Sequence, residues 1–205
     1  MKPMSFFKKA ELLACASAIG WALPAHAELP AGYAIFEPSI KIEGSFVKAS
    51  IEAKTPTSCA QAWTVFTDYD KFPSFLPGIE ASRVTSQSAD GLRVGLHQAG
   101  VANFGFFHKR YASDRDLTLR PPQSIQSESR PTDEAKISSS TIFVEQASTC
   151  LIRYDSDVEI PSWAPNFMAS GFAKKMAKKQ MLAMLGEISR RTPITTNSSP
   201  LQQSE

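Results

Sequence analysis

Two histidines are the first residues of this sequence whose side chains could carry chemistry. His97 and His108 are the only histidines beyond the first 27 residues, and the pattern around them predicts two neighbouring strands. A zinc site takes three or four ligands, and no cluster of cysteine, histidine or carboxylate accompanies the pair. We therefore interpret both as ordinary strand positions and predict no metal site.

Motifs for nucleophilic catalysis or phosphate binding are absent from the sequence. There is no G-x-S-x-G element and no glycine-rich loop that would surround a phosphate. Five polar residues could polarise a carbonyl or move a proton inside a cavity: Arg93, His97, Lys109, Arg110 and Tyr111. Their spacing brings no two of them to one place, so we assign no catalytic residue.

The cysteines permit two interpretations. Cys15 lies in the N-terminal segment, which leaves Cys59 and Cys150 in the rest of the chain. In an oxidising compartment an even pair suggests a disulfide. Two separate buried thiols are the alternative that the sequence alone leaves open.

Aromatic and methionine side chains are the most abundant groups that could contact a ligand. Methionine adapts to flexible apolar ligands, although ordinary packing explains a methionine stripe at helical spacing equally well. Trp63 and Phe66 we assign to the core. The remaining candidates from these two residue types are Phe75, Phe104, Phe106, Phe107, Tyr111, Met168, Met176, Met181 and Met184.

The first 27 residues predict a secretory signal peptide. A basic start is followed by the apolar segment 12–23, and Ala25-His26-Ala27 forms an A-x-A cleavage site. An uncleaved anchor would need a longer apolar segment, and a lipoprotein cut before Cys15 would leave too short an apolar stretch. We expect cleavage after Ala27 and a periplasmic or secreted protein.

The charge balance excludes a general attraction to nucleic acid. The signal carries three lysines and one glutamate, so Lys+Arg falls from 22 to 19 and Asp+Glu from 20 to 19, and the mature net charge is 0. The one basic stripe lies on the last predicted helix, at Lys174, Lys175, Lys178 and Lys179. It could contact anionic lipid head groups, or it is a solvated helix face.

The elements that position these residues follow from periodicity. Residues 46–54 alternate as a half-buried strand, and Thr57 or Ser58 caps a helix from about Cys59 to Asp68. Pro73, Pro77 and Gly78 allow only a second, very short helical turn. Six further strands lie at 79–87, 92–101, 104–119, 124–129, 136–146 and 151–160. A helix over 166–190 follows, and the polar tail 192–205 is predicted to be disordered.

These residues resemble the START/SRPBCC superfamily, within it the coenzyme Q-binding START-domain and polyketide cyclase-like proteins. The segments that carry the match are Ala62-Trp63 with Phe66, Asp68-Tyr69-Asp70-Lys71-Phe72-Pro73, Phe75-Leu76-Pro77-Gly78, Phe104-Gly105-Phe106 and, more weakly, 161–167. The resemblance implies an α+β helix-grip fold over 46–191, preceded by a leader, 28–45. Its parts are a seven-stranded curved antiparallel sheet, two short helices after the first strand, and a long C-terminal helix over an internal cavity.

The resemblance also implies a ligand site and a disulfide. First and last strands are neighbours in this fold, so Cys59 and Cys150 would meet at one end of the sheet. Phe72, Phe75 and Leu76 would gate the cavity. Residues that would line it are Phe72, Phe75, Leu76, Leu96, Phe104, Phe107, Tyr111, Tyr154, Met168, Phe172 and Met176.

The favoured function is therefore an exported, non-catalytic carrier of a hydrophobic small molecule, such as a lipid, an isoprenoid quinone or a polyketide-like ring, without a cofactor. A cofactor-free cyclase, aromatase or dehydratase acting in the same cavity is the alternative. A protein-interaction module resembling ribosome-associated relatives is the third hypothesis, and the predicted signal peptide argues against that partner. The sequence names neither the ligand nor the oligomeric state.

Overall fold

The structure is a computed structural model of the 205-residue chain. It describes residues 29–104, 107–131, 133, 136–160 and 166–192, with the backbone alone at 104, 107 and 166–168. The predicted signal peptide, most of the predicted tail and the segment 161–165 lie outside the described residues.

The described strands form one antiparallel sheet. Their bounds are β1 Ala34–Ile35, β2 Ser39–Glu43, β3 Phe46–Thr55, β4 Ile79–Gln87, β5 Arg93–Phe104, β6 Phe107–Arg120, β7 Ser124–Ser129, β8 Ile137–Gln146 and β9 Thr149–Glu159. The strand order is β1-β3-β9-β8-β7-β6-β5-β4, and β2 also pairs with β3. The first predicted strand, β3, and the last, β9, are therefore neighbours, as the resemblance implies.

The expected count of seven strands is wrong by two, because the leader joins the sheet. β1 and β2 pair one after the other along the edge of β3 that β9 leaves free, with Ala34 opposite Lys54 and Ser39 opposite Ser50. The turns at Gly32 and Gly44 concealed the short strands between them. Tyr33 is buried and Leu29 packs against the core, so the folded part extends to the beginning of the described chain.

The short helices follow β3. Helix α1, Cys59–Phe66, begins in a capping box, in which the Ser58 hydroxyl accepts from the Gln61 N–H and the Gln61 side chain accepts from the Ser58 N–H. A 3₁₀ turn, Tyr69–Lys71, runs directly into the four-residue helix α2, Phe72–Phe75, with Pro73 in its first turn. Proline is tolerated there because that N–H has no helical acceptor.

Helix α3, Asn166–Arg191, lies across the inner face of the sheet and packs against β3, β2 and α1. Its buried side chains are Ala169, Met181, Met184, Leu185 and Ile188. Arg191 pairs with Asp68 at 2.8 Å and with Glu187 at 2.7 Å, which ties the end of α3 to the end of α1. No helix among the described residues is long and apolar enough to cross a membrane.

The predicted disulfide is present. Cys59 and Cys150 are bonded with an S–S distance of 2.02 Å, and both side chains are buried. Thr55 at the end of β3 lies opposite Cys150 on β9, so the bond joins the first turn of α1 to the sheet. The Cys59 N–H also donates to a Glu145 carboxylate oxygen at 2.7 Å.

Candidate functional site

The inner face of the sheet, the face that α1, α2 and α3 cover, is the candidate site. Its residues follow from the alternation of burial along each strand. Towards α1 the face is apolar: Ile51, Ile152, Phe143 and Leu119 are buried in the main core. Trp63 and Phe66 both make edge-on ring contacts with Phe143, at centroid distances of 5.5 and 5.2 Å, in agreement with their assignment to the core.

Further along the same face the wall becomes polar. Ser127 on β7 lies opposite Ser139 on β8, and Ser139 lies opposite Ser156 on β9. These three residues, which we call the serine row, cross three adjacent strands at one level and so span roughly 10 Å. Thr141 is the next inward position of β8 after Ser139.

The hydroxyl groups of this wall have no side-chain partners within the described part of the chain. Ser127, Thr141 and Ser156 are exposed by only 8, 6 and 8%, and within the described residues none of them, nor Ser139, forms a side-chain hydrogen bond. In the described part of the chain, the fully enclosed side-chain atoms without a hydrogen-bond partner are the Tyr33 and Tyr69 hydroxyls. The hydroxyl oxygens of the inner wall are not among them, so they are not fully enclosed. Buried hydroxyl groups are normally hydrogen-bonded, so we expect these oxygens to bind water or a ligand.

One cationic side chain shares the wall. Arg115 on β6 is half-buried and lies between the buried inward residues Ser113 and Leu117. Its Nε donates to the Ser113 Oγ at 3.4 Å, and the Ser113 hydroxyl donates to an Asp133 carboxylate oxygen at 3.1 Å. Gln98, which lies opposite Ser113 on β5, is also buried.

Tyr111 connects this wall to the short helices. Its hydroxyl donates to the Gly78 carbonyl at 3.3 Å. Burial raises the pKa of the Tyr111 phenol, and the nearby Arg115 charge opposes that rise. Tyr111 is therefore a neutral hydrogen-bond donor at physiological pH.

The residues predicted to gate the cavity differ in burial. Phe72 and Leu76 are 6 and 7% exposed and belong to the main core, whereas Phe75 is only partly buried and packs against that core. Phe72 contacts the rings of both Tyr69 and Phe75 edge-on. A role in gating therefore remains a prediction, and Phe75 is the member of the group whose side chain is most accessible.

The other predicted cavity residues come from three elements. Leu96 is buried in the core, and Tyr154 is partly buried on β9. Phe172 and Met176 are half-buried on α3, and Met176 lies beside Gly78. The side chains of Phe104, Phe107 and Met168 lie outside the described residues, so the structure describes eight of the eleven predicted side chains, and that they line a cavity stays a prediction.

The polar residues considered for catalysis mostly lie on the outer face. The His97 Nδ1 is 2.9 Å from an Asp114 carboxylate oxygen, and His108 is hydrogen-bonded to Asn103. Arg110 is exposed and pairs with Glu80 at 3.3 Å. Alternation along β5 directs Arg93 outward, whereas Lys109 has the inward parity of Tyr111 on β6 and is exposed near the beginning of that strand. Of the five, Tyr111 is the partly buried residue of the inner face, and no cluster in the described part of the chain could hold a metal ion.

The lysine stripe of α3 divides into two pairs. Lys174 and Lys178 bind the Glu37 carboxylate at 2.8 and 3.3 Å, and the same contacts lower the Glu37 pKa. Lys175 and Lys179 are exposed and form no ion pair with any described residue. Lys174 and Lys178 therefore link the leader to α3, and membrane contact remains a prediction for Lys175 and Lys179.

Sequence reasoning missed the polar part of the wall. Arg115 and the serine row were not predicted to be site residues, because the search followed aromatic and apolar side chains. The alternation of inward and outward positions along β6 does indicate the polar wall. One face of this strand carries Tyr111, Ser113, Arg115, Leu117 and Leu119. An arginine between buried positions is unusual on such a face.

A curved antiparallel sheet that holds one long helix, with short helices after the first predicted strand, defines the helix-grip class. The chain belongs to the family described as polyketide cyclase/dehydrase and lipid transport, whose sequence pattern matches residues 55–185. This places it in the START/SRPBCC superfamily. The family supports a hydrophobic ligand-binding or polyketide cyclase-like domain.

Solved structures share the fold at low sequence identity. A START superfamily protein from Mycobacterium smegmatis is 17% identical with a TM-score of 0.61, covering 71% of this chain and 99% of that one. The Zhui aromatase/cyclase from Streptomyces sp. R1128 is 12% identical with a TM-score of 0.60, covering 71% and 95%. A STAR-related lipid transfer protein from Xanthomonas axonopodis is 11% identical with a TM-score of 0.52, covering 75% and 99%. No curated protein matches the sequence.

Proposed function

We propose that this protein is an exported, non-catalytic carrier that binds a hydrophobic small molecule between the inner face of the sheet and α3. The observation that carries the proposal is the set of hydroxyls on the inner wall, Ser127, Thr141 and Ser156, which are buried and form no side-chain hydrogen bond with any described residue. Burying several such groups without partners is costly unless water or a ligand reaches them.

Two further observations support export and binding without catalysis. The Cys59–Cys150 disulfide fits an oxidising compartment and agrees with the signal sequence that ends at Ala27. Among the described residues, the inner face brings together no pair of carboxylates and no histidine beside a hydroxyl, and the hydroxyl that donates to a carboxylate, that of Ser113, also accepts from the Arg115 guanidinium. Structural relatives named as an aromatase/cyclase and as a STAR-related lipid transfer protein are consistent with a pocket for a hydrophobic small molecule.

The test uses two variants at neighbouring positions of β8. Ser139→Phe places a ring into the proposed space, whereas Ser138→Phe places the same ring on the exposed outer face. We expect wild type and Ser138→Phe to bind the neutral fluorescent probe Nile red, and Ser139→Phe to lose at least about tenfold in affinity. Circular dichroism establishes that both variants are folded. Equal binding by the two variants would contradict a ligand space at the serine row.

Native mass spectrometry of protein purified from the periplasm tests carriage and location together. A small molecule that is released unchanged supports the carrier. A mass for the exported chain that begins at Glu28 supports cleavage after Ala27. A diacyl adduct on Cys15 would overturn the proposed processing.

A cofactor-free cyclase, aromatase or dehydratase is the second candidate, and Arg115 with Tyr111 favours it. A guanidinium and a neutral phenol on one inner wall can hold the carbonyl oxygens of a substrate in a fixed geometry. Incubation with the co-purified molecule distinguishes the candidates, because an enzyme converts it and a carrier returns it unchanged.

A further inference from the structure

We propose that the ligand carries an anionic oxygen group, a carboxylate or a phosphate, and that this group binds the guanidinium of Arg115. The inference rests on the proposed binding function and adds the chemical class of the ligand. The predicted ligand is therefore an amphipathic acid and not a neutral hydrocarbon or ester.

The orientation of Arg115 is the first step. Its neighbours of equal parity on β6, Ser113 and Leu117, are both 4% exposed. Its partner on β5 is Leu96, which is 3% exposed and belongs to the core. The Nε contact with Ser113 holds the stem of the side chain on this inner face.

The charge of Arg115 has no carboxylate partner among the described residues. Arg110, Arg130 and Arg153 pair directly with Glu80, Asp116 and Glu52. The other described arginines without an ion pair, Arg83, Arg93 and Arg120, are exposed, whereas Arg115 is half-buried. Arg115 forms no ion pair with any described residue. An unpaired charge that is partly removed from water is unfavourable, so the guanidinium retains a strong preference for an anion.

Asp133, the carboxylate that Ser113 links to Arg115, is already occupied by other donors. Asp133 accepts from the Ser113 hydroxyl at 3.1 Å and from the Asp114 N–H at 3.2 and 3.1 Å. It lies one hydrogen bond beyond Ser113 and so reduces the positive potential at Arg115 without pairing with it. The remaining N–H groups of the guanidinium fork stay available for two oxygens of a ligand.

The surroundings of Arg115 explain why the acid would be amphipathic. Ser127, of the serine row, is its diagonal neighbour across β6 and β7, because Arg115 pairs with Ser129. The serine row offers hydroxyl donors to further oxygens near the anionic group. Phe75 packs against the apolar core and Met176 lies beside Gly78, and apolar side chains of this kind suit a hydrocarbon part of the ligand.

The experiment compares three probes that share one acyl chain. Palmitic acid, methyl palmitate and 1-palmitoyl lysophosphatidic acid each displace Nile red from wild type, Arg115→Gln and Arg110→Gln. Arg110 is the matched control, because it lies on the same strand with its side chain 84% exposed on the outer face. Binding of the ester measures the apolar contribution alone, since it lacks the charge.

We expect wild type and Arg110→Gln to bind palmitic acid at least about tenfold more tightly than its ester, as a charge-assisted contact would give. Arg115→Gln should lose this preference while it binds the ester as before. Tighter binding of the lysophosphatidic acid than of palmitic acid identifies phosphate as the group, and the reverse order identifies carboxylate. Both orders support the anion site.

Two results would overturn the inference. One is equal binding of acid and ester by wild type, and the other is an acid preference that survives in Arg115→Gln. If Arg115→Gln does not fold, the comparison of acid and ester binding by wild type still tests the anion site. Arg115→Lys should then keep part of the preference for the acid. Binding of Nile red and ester without acid preference refutes the anion site alone, whereas no binding of any probe refutes the carrier function.

Discussion

Replacement of Gly100 by alanine tests how α2 is attached to the sheet. A Cβ at this position of β5 would lie 1.9 Å from the Gly78 carbonyl oxygen and 3.0 Å from the Tyr111 hydroxyl. The Gly78 carbonyl accepts from the Val101 N–H at 3.0 Å and from Tyr111 at 3.3 Å. To reach an ordinary carbon–oxygen separation of about 3.3 Å, the carbonyl must move by roughly 1.4 Å.

Such a movement breaks both hydrogen bonds at this carbonyl. Each contributes about 1 kcal/mol, and a buried carbonyl that loses its partners costs a similar amount again. We therefore expect Gly100→Ala to lower the free energy of unfolding by about 2–4 kcal/mol. Because the same contact fixes the end of α2, release of bound Nile red should also become faster.

Urea unfolding of Gly100→Ala and Gly186→Ala, followed by circular dichroism, measures the effect. Gly186 lies on α3 with nothing within 4 Å of an added Cβ, so its alanine variant should gain up to about 1 kcal/mol from helix propensity. If Gly100→Ala unfolds within about 0.5 kcal/mol of wild type while Gly186→Ala is stabilised, the backbone contact between Gly78 and Gly100 is not as close as described.

Three further predictions concern the disulfide, the end of α3 and the membrane. The disulfide closes a sequence separation of 91 residues, so Cys59→Ala/Cys150→Ala should lower the free energy of unfolding by about 2–5 kcal/mol; equal urea midpoints for oxidised and reduced wild type would contradict this. Hydrogen bonds from Arg190 and Arg191 lower the Glu187 pKa from 4.5 to about 2. Because this pKa is depressed in the folded state, the contribution of ionised Glu187 to the free energy of unfolding is complete above pH 4.5 and is lost as the pH falls towards 2. The difference in unfolding free energy between wild type and Glu187→Gln should accordingly be about 1–3 kcal/mol at pH 7 and should shrink below pH 4.5, whereas a difference independent of pH would exclude ionisation as its cause. Lys175→Gln/Lys179→Gln should weaken binding to anionic but not to neutral liposomes at low salt, and unchanged sedimentation with anionic liposomes would leave these lysines as a solvated surface.

Most of the fold was predictable because its signals are local. Alternation at 46–54, prolines at 73 and 77, and the long periodic run after residue 166 each determine one element. The sequence indicates one extended piece around 40–43, which corresponds to β2, but neither β1 nor β2 was predicted to join the sheet, because a strand of two residues and one of five, between glycines, are stable only when they pair with the edge of β3. That pairing depends on tertiary structure, which no local pattern encodes.

The site was less predictable for a different physical reason. Apolar side chains at inward positions have the same pattern whether they fill a core or line a cavity, and Phe72 and Leu76 belong to the core. The informative residues are the polar ones at inward positions, such as Ser127 and Arg115. Their significance depends on the lack of a hydrogen-bond or charge partner, which is a property of the folded chain alone.

The position of β3 between the leader and β9 sets an order of events for a chain that emerges from its N-terminus. The leader strands can form a hairpin with β3 as soon as both have appeared, because Glu43 and Phe46 are adjacent in register. The other edge of β3 pairs with the last strand, β9, because Phe46 lies opposite Glu159. This edge therefore stays unpaired until β9 has been synthesised. A nascent chain thus holds a small N-terminal hairpin with one open edge until nearly all of the domain is available, and closure of the sheet is a late step dominated by distant contacts.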